Sequence, residues 1–375
     1  MAAGRRFQEW GYHGVSMADV AADVGVTAPA VYRHFRNKQD LLAGAIESAL
    51  SLVEETLVNT EHDSLEALVA AVADVVLDRR DMWTLLQREA RFLDPGRHSA
   101  VQQQFRRVVA EFVQRLHVRR PELSTDDAQL LITAATAALA SPSVPRSIPR
   151  ALASRELARA AMAILELPWP PTTSIASRSA APPPPTTEGL ESRRAALLAS
   201  AVDLFFSRGY AAVSLDDIGA SIGIAGPSIY HHFPTKADIL VTAFTQATDR
   251  LSEEHDQRHD DGTTPRPLVE LVGIYTDFCL RNRSLVGVYV TEANNLPPDA
   301  QRRITSVLRD RTTEWTTALR DEHSAVDERI ARLRALTALT VIDDLVRLGR
   351  FYKRPAIADE IRAVAMAILV DATDN

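Results

Sequence analysis

The chain has 375 residues, of which 46% are hydrophobic and 24% charged, so it is too apolar for a disordered protein and long enough for two or more domains. Its one cysteine, Cys279, excludes a disulfide framework and a cysteine-based zinc site and fits a reducing cytoplasm. The net charge of −7 gives the whole protein no attraction to nucleic acid, so any DNA binding has to come from a local surface.

The longest nearly apolar run covers residues 130–140 and has 11 residues, whereas a bilayer-spanning helix needs about 20. The first residues also lack the apolar stretch of a signal peptide. The sequence therefore predicts a cytoplasmic protein with no membrane partner.

An internal repeat organises the chain. Residues 7–42 align without a gap to residues 205–240, at a constant offset of 198, and 15 of the 36 positions are identical. Farther along, Glu89 matches Glu292 at an offset of 203, and residues 161–165 match residues 365–369 at an offset of 204. The same protein unit is therefore written twice, with small insertions in the second copy.

Residues 7–42 contain the signals of consecutive short helices. Ser16 followed by Asp19 is a capping box that opens one helix, and Gly25 supplies the positive φ that commonly ends one. Pro29 falls in the first turn of a second helix, where its missing N–H is harmless. Two short helices joined by a Gly-containing turn form a helix-turn-helix, whose second helix is built to enter the major groove of DNA. We expect eight aliphatic residues to form the two small cores: Val20, Val24, Val26 and Val31, and Ile218, Ile222, Ile224 and Ile229.

The rest of each repeat also has helical periodicity. Apolar residues recur at i, i+3, i+4 and i+7 in residues 65–77, 105–116, 152–167, 330–348 and 357–369. The predicted domains are a helix-turn-helix head at 1–46 with a truncated first helix, a helical body at 47–167, a Pro-rich linker at 168–190, a second head at 191–242 and a second body at 243–375.

These motifs resemble the DNA-binding signature of the tetracycline-repressor-like (TetR) family of bacterial regulators. Residues 11–42, which include Val31-Tyr32-Arg33-His34-Phe35, carry the resemblance, and residues 209–240 are a second instance. The resemblance implies an all-α chain of two tandem units, each with a three-helix head and a helical body that holds a small-molecule pocket. It also implies dimers that release DNA when an effector binds.

Carried over position by position, the resemblance assigns DNA contacts to the second short helix of each head. It implies that Tyr32 and Tyr230 contact phosphate through the phenol, with Lys38 and Lys236 as a second phosphate anchor. His34 and His232 either donate to phosphate or pack under the motif. The candidates in the first repeat are Ser16, Thr27, Ala28, Pro29, Ala30, Tyr32, Arg33, His34 and Lys38. Those in the second repeat are Ser214, Gly226, Pro227, Ser228, Tyr230, His231, His232 and Lys236.

The two heads differ at one reading position. Arg33 can bind a guanine edge or a phosphate, whereas the matching His231 does less at neutral pH. We therefore expect the first head to bind DNA more strongly than the second.

Aromatic and apolar residues at helical spacing in the bodies are either helix core or the lining of a cavity for an apolar effector. The candidates are Trp83, Leu86, Glu89, Phe92, Phe105 and Phe112 in the first body, and Tyr275, Phe278, Cys279, Tyr289, Glu292 and Trp315 in the second. His255 and His259 have the spacing of a helical metal pair, but a solvated charged face is the preferred interpretation. We predict no cofactor, no metal and no catalytic residue.

Because both heads lie in one polypeptide, we expect an intramolecular pseudo-dimer that binds an imperfect palindrome and packs through the last two helices of each body. A homodimer of chains is the alternative assembly. The predicted function is a transcriptional regulator, a repressor that responds to a small molecule. The alternatives are a helical interaction scaffold with degenerate heads and a helical enzyme acting on the pocket ligand.

Overall fold

A computed structural model describes residues 1–60, 64–141, 148–171, 190–224, 226–257 and 266–370, with the backbone alone for 190–192, 226–228 and 254–257. All regular elements of these residues are helices, which confirms the predicted all-α class. Among them, no helix is both long and apolar enough to cross a membrane.

The first repeat is a series of helices with short connections. They are α1 (Ala2–Trp10), α2 (Met17–Asp23), α3 (Ala28–His34), α4 (Lys38–Asn59), α5 (Leu65–Asp78), α6 (Asp81–Thr84), α7 (Pro95–Arg119), α8 (Thr125–Leu139) and α9 (Arg150–Leu165). A π-helical turn, Leu85–Glu89, and a 3-10 turn, Ala90–Phe92, connect α6 to α7.

The second repeat follows the same order. Its helices are α10 (Leu190–Arg208), α11 (Leu215–Ser221), α12 (Gly226–His232), α13 (Lys236–Gln257), α14 (Leu268–Arg281), α15 (Arg283–Glu292), α16 (Pro298–Glu322), α17 (Glu328–Arg347) and α18 (Ile357–Leu369). The five periodic segments of the sequence fall within α5, α7, α9, α17 and α18, give or take two residues at their ends.

Each head has a small apolar core beneath its helix-turn-helix. In the first repeat Val20 and Val31 are buried in a cluster with Phe7, Leu42 and Ile46. In the second repeat the corresponding cluster contains Ile218, Ile229, Phe205 and Phe233, with Ile222 and Ile224 packed against it.

The predicted core of the first head is wrong at two positions. Val24 is 51% exposed and Val26 is 45% exposed. Val24 is the C-cap of α2, and Val26 lies in the turn before α3, so both project beyond the helical face that packs on the core.

Two compact units are present, and their limits differ from those of the repeats. The first unit combines Met1–Trp169 with Ala325–Asp344 and residues 364–370. The second unit, by itself, covers the described residues of Pro170–Ser324 together with Leu345–Ala363.

Polar contacts join the three segments of the first unit. Arg334 Nε donates to Glu156 Oε2 at 3.2 Å, and both side chains are buried. Arg159 Nη2 donates to the carbonyl oxygen of Ile368 at 2.6 Å. Trp83 Nε1 donates to Asp344 Oδ2 at 3.0 Å. Helix α9 and the α6 segment are thus tied to parts of α17 and α18 inside this unit.

Candidate nucleic-acid interface

The start of α2 and the turn between α2 and α3 have the geometry that the sequence predicts. Ser16 accepts the Asp19 N–H at 3.1 Å, and Asp19 Oδ2 accepts the Ser16 N–H at 2.8 Å, so the capping box is complete. The same hydrogen bonds hold the pKa of the Asp19 carboxyl below its usual value. Gly25 has a φ of +69°, and the Val26 N–H closes the helix end on the Ala21 carbonyl at 3.0 Å.

Helix α3 turns one side chain inward and most of the others to solvent. Val31 is the buried residue of this helix, and Pro29 stands in its first turn as predicted. Tyr32 is 54% exposed, and Arg33 is exposed with no ion-pair partner among the described residues. The other candidates divide into exposed residues, Ser16, Thr27, Pro29 and His34, and partly buried ones, Ala28 and Ala30. Exposure of His34 removes the alternative in which it packs under the motif.

Helix α12 presents the second copy of this surface. Its Tyr230 is 53% exposed, His231 is exposed, and Ile229 is fully buried where Val31 is buried in α3. His232 is half-buried, and its carbonyl accepts a hydrogen bond from Arg194 Nη1 at 3.0 Å. Ser214 caps α11 through Asp217, as Ser16 caps α2. The side chains of Pro227 and Ser228 lie outside the described residues, although Gly226, Pro227 and Ser228 all belong to α12.

Lys38 joins the start of α4 to the loop before α2. Its ammonium donates to the carbonyl oxygens of Tyr12 at 2.8 Å and Val15 at 3.0 Å, and lies 4.3 Å from the centre of the Tyr12 ring. Burial lowers the pKa of this ammonium. Two of its three N–H donors are therefore used inside the head, and the phosphate contact remains a prediction for the third.

The second repeat reproduces this arrangement. Lys236 Nζ donates to the carbonyls of Tyr210 at 2.6 Å and Val213 at 2.7 Å, and stands 4.4 Å from the Tyr210 ring centre. Since the geometry occurs twice, each lysine fixes the loop that positions the first helix of its helix-turn-helix.

The glutamates predicted to line a pocket instead connect each body to its head. Glu89 is 1% exposed and accepts the Tyr12 N–H at 2.7 Å, and it also pairs with Arg88. Glu292 accepts the Tyr210 N–H at 3.1 Å. Both carboxylates therefore fix the loop after the first helix of the head, and their assignment to an effector cavity remains a prediction.

Phe92 and Tyr289 also lie against the heads. Phe92 stacks on Tyr12 with ring centres 5.1 Å apart, and Tyr289 packs edge-on against Phe244 of α13 at 5.5 Å. Both were predicted as cavity residues; Phe92 lies in the 3-10 turn before α7, and Tyr289 lies within α15.

A narrow apolar cavity of about 30 Å³ does lie in the first body. Four predicted residues line it: Trp83, Leu86, Phe105 and Phe112. In the second body the predicted Tyr275, Phe278, Cys279 and Trp315 are buried, and Tyr275 meets Trp315 edge-on at 6.0 Å. A cavity at those residues remains a prediction. The His255 side chain and His259, the weighed metal pair, lie outside the described residues.

Comparison with known proteins agrees with the duplicated head. The family model for bacterial regulatory proteins of the tetR family matches residues 1–45 and 197–243. The transcriptional repressor KstR2 of Mycolicibacterium smegmatis is 32% identical over 108 residues, which cover 28% of this chain and 52% of that protein. The transcriptional activator FasR of the same organism is 33% identical over 61 residues, or 16% of this chain and 28% of FasR. The chain thus spans about half the length of KstR2 and less of FasR.

Solved structures of two bacterial regulators match about half of the chain. A TetR-family regulator from Bordetella parapertussis is 18% identical, with 49% of this chain and 98% of that chain covered and a TM-score of 0.45. KstR2 of Mycobacterium tuberculosis is 24% identical, with 48% and 94% covered and a TM-score of 0.42.

Proposed function

Because the chain contains two units of the tetR family of bacterial regulatory proteins, we propose that it is a sequence-specific DNA-binding regulator, a repressor that a small molecule releases from its operator. The observation that carries the proposal is the outer face of α3, where Tyr32 and Arg33 are exposed and Arg33 has no ion-pair partner among the described residues. A guanidinium in this position can form bidentate hydrogen bonds with a guanine edge, and a phenol can hydrogen-bond to phosphate.

We propose further that the two heads of one chain act together on one imperfect palindrome. The contacts of Glu156 with Arg334 and of Arg159 with the Ile368 carbonyl support this, because they bring the last helices of both repeats into one packed unit. Sedimentation of the protein on its operator is expected to give one 41.2 kDa chain per site. A complex with two chains per operator would contradict the single-chain assembly.

The DNA-binding proposal is tested by footprinting the full chain on the DNA upstream of its own gene. We expect protection of two related half-sites. The protection should fall steeply as salt rises, because binding releases counterions from the DNA and this release is less favourable at high salt. Tyr32→Phe and Tyr230→Phe should weaken binding to all sequences alike, while Tyr352→Phe, an exposed tyrosine outside the heads, should have no effect. Equal affinity for operator and competitor DNA would refute sequence-specific binding. A reporter gene under this operator separates repression from activation.

The effector proposal rests on the cavity in the first body. Its lining is almost wholly apolar, so the cavity suits an apolar ligand, and its small volume means that the ligand has to push helices apart to enter. We expect an apolar metabolite to quench or shift the fluorescence of Trp83 and to release the DNA. Phe112→Ala should enlarge the cavity and change the preferred ligand size. A screen in which no apolar metabolite stabilises the protein would contradict the proposal.

A further inference from the structure

A second cavity, unlike the first, lies in the second unit between α10, α13 and the junction of α14 with α15. It is a cleft of about 360 Å³. Apolar side chains such as Leu198, Val202 and Leu285 form its walls, and Arg250, Arg281 and Asn282 belong to its lining. Tyr230, His231 and His232, the candidates for DNA contact whose side chains are described in α12, do not line it.

In the first repeat the equivalent space is filled by the protein itself. Helices α5 and α14 correspond at an offset of 203, so Arg79 matches Asn282 and Asp81 matches Ser284. Arg79 is buried, donates to both carboxylate oxygens of Asp81 at 3.0 Å, and reaches the Ala45 carbonyl at 3.0 Å. Gly4 leaves room for this pair, since a Cβ there would collide with the Asp81 carboxylate.

The second repeat replaces the long ion pair with short side chains. Asn282 and Ser284 cannot fill the volume of an Arg–Asp pair, and the cleft opens where the pair would stand. The lining at Asn282 and Ser284 therefore differs from the equivalent positions of the first repeat.

The charges of the cleft also differ between the repeats. Arg250 replaces Leu52 and Arg281 replaces Asp78, so the second repeat gains two cations at positions where the first has a neutral and an acidic residue. Arg250 is exposed and has no ion-pair partner among the described residues. The charged residues of the lining are thus Arg250, Arg281 and the carboxylate of Asp203.

We propose that this cleft binds a small amphiphilic anion, a carboxylate on a short apolar chain. The chain lies against Leu198, Val202 and Leu285, and the carboxylate is held by Arg250 and Arg281 at the rim. Guanidinium groups suit this ligand because their fork of N–H donors matches the two oxygens of a carboxylate. The volume is at the lower end of the ordinary range for ligand pockets, roughly 300–1,000 Å³, which suits a chain of medium length. The site is independent of the proposed DNA interface and distinct from the apolar cavity of the first body.

The experiment is a calorimetric titration of the full chain with sodium octanoate, repeated with Arg250→Gln, Arg281→Gln and the control Arg303→Gln. Each cleft variant should weaken the octanoate Kd roughly ten-fold or more, because each removes a charge-assisted hydrogen bond. Arg303 is exposed and does not line the cleft, so its variant should bind like the wild type.

A second variant tests the volume of the cleft without altering its charge. Ala199 is exposed and lines the cleft, so Ala199→Trp should fill the cleft, abolish octanoate binding and leave the operator footprint unchanged. Absence of saturable binding to the wild type up to about 10 mM, where even a millimolar Kd would be seen, would overturn the proposal. Equal affinity in the wild type, both arginine variants and Ala199→Trp would also overturn it, since octanoate would then bind elsewhere.

Discussion

Lys38→Met tests whether the lysine at the start of α4 holds the helix-turn-helix in place. The substitution removes two hydrogen bonds from an ammonium to the Tyr12 and Val15 carbonyls and a cation–π contact with the Tyr12 ring. Hydrogen bonds to a charged donor contribute about 1.5 kcal/mol each at the lower end of their range, which applies because the ammonium is only partly buried. The cation–π contact adds about 0.5 kcal/mol. In the variant, water can hydrogen-bond to the two freed carbonyls, which reduces the free energy lost. We therefore expect a loss of about 2–3 kcal/mol in the local stability of the head.

Amide hydrogen exchange, read by mass spectrometry on the full chain, measures this loss. Peptides from residues 12–35 should lose protection by roughly 30- to 150-fold, which is the same free energy expressed as a ratio. Lys236→Met should have the matching effect on residues 210–233 and none on the first head. Lys353→Met, an exposed lysine outside both heads, serves as the control. Unchanged exchange in both heads would show that these carbonyl contacts do not stabilise them.

Three further outcomes follow from the same geometry. Arg33→Ala should weaken operator binding by about 1–3 kcal/mol in a gel-shift titration, and a larger effect of His231→Ala would contradict the stronger role of the first head. Gly25→Ala should lower the urea midpoint by the equivalent of about 1 kcal/mol, because a φ of +69° is strained for alanine, although no atom lies within 4 Å of the added Cβ. The control Gly273→Ala, inside α14, should raise the midpoint. Asp19→Asn should destabilise the protein most above about pH 4, and the difference in stability from the wild type should vanish at lower pH. A carboxyl whose pKa is lowered by folding contributes stability above its unfolded pKa, about 3.9, and this stability is lost as the pH falls.

The sequence predicted the heads well because their geometry is written in neighbouring residues. Ser16 and Asp19 lie three positions apart and complete one capping box, and Gly25 closes the same helix by its own backbone. Such local signals need no knowledge of tertiary packing. The predictions for Val24 and Val26 were wrong because the pattern of aliphatic residues does not show where a short helix ends. Beyond that end the side chains no longer face the core.

The residues that join head to body were harder to place. Glu89 lies 77 positions from Tyr12, and no periodicity connects a carboxylate in the body to a single N–H in a loop. One signal was nevertheless present in the sequence. Glu89 recurs as Glu292, and a charged residue retained in both copies indicates a role that both copies share.

The cavity residues were predicted in part. Phe105 and Phe112 line the cavity because they lie two turns apart on one face of α7, which their spacing indicates, and Trp83 of α6 lies next to Phe105. Phe92 does not, because a turn of 3-10 helix intervenes before α7 and directs it to the head. The cleft of the second unit could not be foreseen, since it arises from what Asn282 and Ser284 leave unfilled.

The contact between Glu156 and Arg334 has a consequence for biosynthesis, since 178 positions separate the two residues. A ribosome adds about 5–20 residues each second, so the α9 surface waits roughly 10–35 s for its partner to be made. During that interval Glu156 has no ion-pair partner from α17, and the apolar face of α9 stays exposed. The exposed apolar face favours aggregation. Slow stretches of codons between the two residues would lengthen this exposure, and a holdase chaperone would be expected to bind the nascent protein at that stage.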